Sequence, residues 1–134
     1  MVAFSLFLPV SLSIGQIVTS PVLETPTKDE IIRAFTGRLK IWRRGEITVV
    51  YILPRDHYAT KVFVGEVLHI SPSAFEDLYI EARDNQQRNP YRPLENEAQM
   101  INYVSATVGS IGYITNSLLI NEGKGHVKAI YLQR

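Results

Sequence analysis

Apolar positions along this chain change rhythm between residues 46 and 70, where the sequence reads EITVVYILPRDHYATKVFVGEVLHI. The first half, Ile47 to Ile52, is a run of β-branched residues and Tyr, long enough for a buried strand and too short for a typical helix. The second half has helical spacing: Ala59, Val62, Phe63, Val67 and Ile70 recur every three or four residues, and Asp56 after Pro54 is the expected N-cap. Only Leu53, Pro54 and Arg55 separate the two. A strand that turns at once into a helix leaves helix-start N–H groups at its carboxyl end, where α/β proteins tend to bind anions. The candidate anion ligands there are Arg55, His57, Tyr58 and Thr60: a cation, two further donors and a hydroxyl around a positive helix end.

The same reading extends over the rest of the chain. Gln16 to Thr19 is a short strand, followed by the proline-punctuated connection SPVLETP. Thr27 with Glu30 forms a capping box, Ile31, Ile32 and Phe35 supply an apolar side, and Gly37 is placed as the helix stop. Leu39, Ile41 and Trp42 alternate imperfectly with basic residues before a turn at Gly45. Trp42 is expected to pack, and Arg43 with Arg44 is ordinary surface unless the fold brings the pair to Arg55. Ser71 and Pro72 open a helix with Phe75, Leu78, Tyr79 and Ala82 on one face. DNQQRNPYRP reads as a polar loop, and Glu95 to Thr107 as a helix with Ala98, Ile101, Val104 and Val108 in register, stopped by Gly109. Ser110 to Ile114 is a strand whose Gly112 implies close approach by a neighbour. A turn, NEGKG, and a last strand, HVKAIYL, close the sequence. About four strands alternate with about four helices, which argues for α/β layers over a mixed sheet.

Residues 2–15 are almost wholly apolar or small, matching a signal-peptide core and falling short of the roughly 20 residues a membrane span needs. Small residues at Ser13 and Gly15 allow cleavage before Gln16, so the expectation is an exported, periplasmic or secreted protein with one domain over residues 16–134 and no membrane span after cleavage. A length of 134 residues with 46% hydrophobic content suits one small core. With 14 basic and 13 acidic residues and no run of like charge, the footprint of a nucleic-acid binder is missing. The absence of cysteine removes disulfide scaffolds, thiol nucleophiles and thiolate metal sites. Histidines stand at 57, 69 and 126 without metal-ligand spacing, and no nucleotide loop occurs, so neither an enzyme nor a cofactor or metal is expected.

The order of motifs resembles that of phosphate ABC transporter substrate-binding proteins. TKDEIIRAFTGRLKIWRRGEITVV is similar to the family's segment of helix, Phe35, Gly37, Trp42, glycine and strand, and Glu97 to Val104 followed by Gly109, Ser110, Ile111, Gly112 and Tyr113 looks like its late helix and PGAIGY-type turn and strand. The resemblance covers residues 16–134. It implies one three-layer α/β lobe of a type II periplasmic binding protein, with a mixed sheet of four to five strands flanked by helices, and phosphate or a similar oxyanion as ligand. A full family member has two lobes, and this chain has the length of one. Where the family carries a serine-glycine-threonine signature, this sequence has Arg55 through Thr60, with Asp56 among them to repel an anion. Two functions follow: an exported oxyanion-binding module linked to phosphate uptake or sensing, or an interaction module that meets a protein partner or a second copy of itself.

Overall fold

The computed structural model describes residues 16–84, 89–122 and 126–130. The apolar segment at 2–15 lies outside them, as does part of the closing turn and the end of the last strand. Among the described residues, five strands and five α-helices follow in the order β1 (Gln16–Thr19), α1 (Lys28–Phe35), β2 (Val49–Ile52), α2 (Tyr58–Phe63), α3 (Pro72–Asp84), β3 (Tyr91–Pro93), α4 (Glu97–Ala106), β4 (Ser110–Ile114), α5 (Leu118–Glu122) and β5 (Lys128–Ile130). One sheet holds all five strands in the order β3-β2-β4-β1-β5. β2 runs parallel to β3 and β4, while β1 runs antiparallel to β4 and β5. This is the expected α/β lobe with a mixed sheet.

Local chemistry explains most element ends. The Thr27 hydroxyl accepts from the Glu30 N–H at 3.1 Å, and the Glu30 carboxylate accepts from the Thr27 N–H at 2.8 Å, closing the capping box of α1. Gly37 follows the helix at φ +81°, the left-handed position that glycine adopts freely. All five residues of β4 are buried, as the middle strand of a sheet covered on both faces requires. Gly112 sits beneath Met100, whose sulfur would lie 2.3 Å from an added Cβ, so the close neighbour is the α4 side chain.

Several expectations are corrected. The cap of α2 is His57, whose Nδ1 accepts from the Ala59 N–H at 3.0 Å; Asp56 is exposed in the preceding turn. The helix then widens into a π-helical segment, Val64–Leu68, and ends on His69 in the left-handed region. That extra residue per turn shifts the buried face to Phe63, Val64 and Leu68, leaving Val67 and Ile70 only partly buried. The expected loop at DNQQRNPYRP contains β3, and the five-residue α5 precedes the closing turn. In α4 Ala98 is exposed and Met100, Ile101 and Val104 form the buried face, while Val108 is exposed in the turn beyond the helix.

An aromatic cluster fills the core between sheet and helices. The Phe63 and Tyr113 rings stack with centroids 4.6 Å apart, and Phe35 lies 4.4 Å from Phe63. Trp42 is buried as expected, and its indole N–H donates to the Gly109 carbonyl at 2.9 Å, tying the segment before β2 to the start of β4.

β3 lies at one edge of the sheet. Val50 N–H bonds Pro90 O and Leu94 N–H bonds Ile52 O, so alternate residues face β2 and the polar groups of Tyr91 and Pro93 face outward. The Tyr91 N–H is taken by the Asn89 side chain at 3.0 Å, the Tyr91 carbonyl by Arg92 Nη1 at 2.9 Å, and Pro93 has no N–H to offer.

Candidate functional site

The carboxyl ends of β2 and β3 open onto a cleft of about 130 Å³ whose walls are mainly Ile52, Leu53, Pro54, Phe75, Tyr79 and Leu94. Its polar features are Arg55 and Glu76, joined by an ion pair of 2.9 Å between Nη1 and Oε1. Both side chains are about half exposed, so their attraction is screened by water.

The structure places the four expected ligands differently from one another. Arg55 is paired with Glu76. His57 caps α2 through Nδ1, which puts the proton of a neutral imidazole on Nε2. Tyr58 is exposed. Thr60 points into the core: its Oγ1 lies 3.2 Å from Leu53 O and 2.8 Å from the Tyr113 hydroxyl, and the residue is completely buried. Four backbone donors of the turn and helix start are engaged as well. His57 N–H bonds Pro54 O, Ala59 N–H bonds His57 Nδ1, and Thr60 and Lys61 N–H bond His57 O. A phosphate cradle built on the N–H groups of His57, Ala59, Thr60 and Lys61 would compete with bonds the chain already makes internally.

Arg43 and Arg44 form a separate cluster. Arg43 binds Glu30 at 2.9 Å and Glu24 at 3.3 Å, and Arg44 approaches Glu24 at 3.7 Å. Arg43 thus braces Glu30 of the α1 capping box and also donates to the Thr25 carbonyl at 3.1 Å, while Arg55 pairs with a residue of α3. Burial pushes the Glu30 carboxyl up, but the Thr27 N–H and the Arg43 guanidinium outweigh it and leave the group below its ordinary value. Burial likewise pushes the Tyr113 hydroxyl up to about 12, so it serves as a neutral hydrogen-bonding group.

Sequence reasoning missed Glu76, Tyr113 and Glu97. Glu97 accepts three bonds from the segment after β4: Thr115 N–H at 2.8 Å, Asn116 N–H at 2.8 Å and Thr115 Oγ1 at 2.6 Å. These pairings join residues 18 to 60 positions apart, and no local spacing announces them. Among the described residues no group of three or more His, Asp and Glu side chains could hold a metal ion, and no helix is long and apolar enough to cross a membrane.

The mixed five-stranded sheet with helices on its faces defines a single α/β lobe of the kind found in phosphate transport receptors. The crystal structure of PstS from Borrelia burgdorferi superposes with a TM-score of 0.62 at 15% identity, covering 90% of this chain and 49% of that protein. The ABC-type phosphate transport receptor from Vibrio cholerae superposes with a TM-score of 0.57 at 13% identity, covering 89% of this chain and 47% of the receptor. The chain spans about half the length of either receptor. No family model matches it, and no curated protein matches it by sequence. The likeness is one of fold.

Proposed function

We propose that this chain is an exported binding module with the fold of one phosphate-receptor lobe, and that it engages a protein partner through the carboxyl ends of β2 and β3. The reading is carried by the engagement of the α2 start, where His57 takes the N–H groups of Ala59, Thr60 and Lys61, while the adjoining cleft is walled by apolar side chains. An apolar side chain of the partner fills the cleft, and charged groups at its rim meet Arg55 and Glu76. Tyr and Arg beside an apolar pocket are the residue types on which protein interfaces concentrate their energy. Cross-linking from a photoreactive residue at position 58 in envelope extracts tests the idea. Capture of one defined protein, lost in Tyr79→Glu, is expected; a cross-linking pattern that Tyr79→Glu leaves unchanged overturns it.

Oxyanion binding, linked to phosphate uptake or sensing, is the second reading. It is favoured by the Nε2 proton of His57, which together with Arg55 and Tyr58 leaves three donors outside the core. Calorimetry with phosphate, sulfate and molybdate decides between the two. On this reading Arg55→Ala weakens binding and Asp56→Asn tightens it, each about tenfold. No heat at millimolar anion removes the reading.

A further inference from the structure

We propose that the Thr115–Asn116 segment is a carboxylate-binding cradle, and that the chain's own Glu97 occupies it. Both main-chain N–H groups point at Glu97 Oε1 at 2.8 Å, and the Thr115 hydroxyl donates to Oε2 at 2.6 Å. Three donors divided between the two oxygens of one carboxylate are the contacts by which backbone concavities hold free anions.

None of the three donors is needed elsewhere. Asn116 Oδ1 accepts from the Leu118 N–H at 3.1 Å, so the turn into α5 is served by a different atom. Asn96 caps α4 through a 2.9 Å bond from the Gln99 N–H, so Glu97 is not required to close its own helix and its carboxylate reaches across to the other segment. The cradle follows directly on β4, which lies beside and parallel to β2. It therefore opens at the carboxyl end of these strands, where α/β sheets place their ligands. Tyr113, two residues upstream, touches Leu53 and Thr60, linking this end of β4 to the turn after β2.

Glu97 is tethered, so it competes with any free anion at a high effective concentration. An external carboxylate enters only when the start of α4 moves or Glu97 is removed. The cradle and the partner-facing cleft are built from different segments, so neither depends on the other.

The test is removal of the tethered ligand from the whole chain. In Glu97→Ala, the Thr115 and Asn116 amide signals should shift and saturate with millimolar sodium formate and remain still in sodium chloride of equal ionic strength. Wild type and Glu97→Gln, in which the side chain still fills the space, should show no saturating response. Adding Thr115→Val to Glu97→Ala should weaken formate binding about tenfold through loss of one charge-assisted bond. Thermal melting gives a second readout, with formate raising the melting temperature of Glu97→Ala more than chloride does. Amides that do not respond, melting that does not distinguish the salts, or a variant that stays unfolded in both would make Glu97 a structural clasp and overturn the proposal. Tighter binding of inorganic phosphate than of formate would overturn the assignment to carboxylates.

Discussion

The hydroxyl of Tyr113 stands 2.8 Å from that of Thr60, and the same tyrosine oxygen accepts from the Leu53 N–H at 2.9 Å. One buried phenol thus fixes the end of β2 and the first turn of α2 against β4. Tyr113→Phe keeps the ring stacked on Phe63 but leaves the Leu53 N–H without its acceptor. Urea denaturation should show a loss of about 1 to 3 kcal/mol, the range for stranding a buried polar group. Paired with Thr60→Val it should be clearly non-additive, because both changes break the same network.

Phe35 is completely buried, and its ring lies 4.4 Å from Phe63 and 6.0 Å from Tyr113. Phe35→Ala should cost about 3 to 5 kcal/mol in chemical denaturation, as aromatic truncations in close-packed cores do. A loss below about 1 kcal/mol would mean that the core had collapsed around the gap far better than large-to-small core changes allow.

Gly109 adopts φ +82°, and an added Cβ would lie 2.2 Å from the Ile47 carbonyl oxygen. Gly109→Ala therefore combines backbone strain with a main-chain clash. A loss exceeding about 1 kcal/mol is expected. Gly45→Ala is the useful comparison, since its φ is also positive but nothing lies within 4 Å of the added atom. It should be the milder of the two in thermal melts.

Acid should expose the Glu30 contribution. Its folded pKa lies below the ordinary 4.5, so the ionised form adds stability above that value, and the contribution is lost as pH falls through the lower folded value. Glu30→Gln should lose about 1 kcal/mol near neutrality and show a flatter acid limb than the wild type. Denaturation midpoints measured between neutral pH and the acid transition would contradict the assignment if the two curves ran parallel.

Processing can be read by intact mass. Protein recovered from the cell envelope should begin near Gln16, immediately after the apolar segment and at the first residue of β1. Recovery of a folded chain that retains residues 2–15 would end the export reading.

What the sequence disclosed was governed by local rules. The capping box at Thr27 and Glu30, the left-handed glycines at 37 and 109 and the apolar run leading into Ile52 each follow from residues within one or two turns of one another. β3 was hidden because Tyr91, Arg92 and Pro93 look like a loop until a parallel partner is supplied, and that partner lies some forty positions upstream. His57 displaced Asp56 as the cap of α2 because an imidazole nitrogen can accept as a carboxylate does, and ordinary cap preferences rank the aspartate higher. The candidate ligands were legible as a set of chemical types. Their orientations were not, since Thr60 turned inward only because Tyr113 was waiting in a strand more than fifty residues away.

The partly blocked border of β3 bears on how this small lobe behaves when crowded. An unprotected sheet margin is a template on which another chain can lay down a strand and begin a fibre. Here Asn89 and Arg92 occupy the Tyr91 groups that such a strand would seek, and Pro93 withholds a donor. Growth of aggregates from this margin is discouraged by the chain's own side chains. Any lasting association there must be won by side-chain fit, which confers selectivity that main-chain pairing does not.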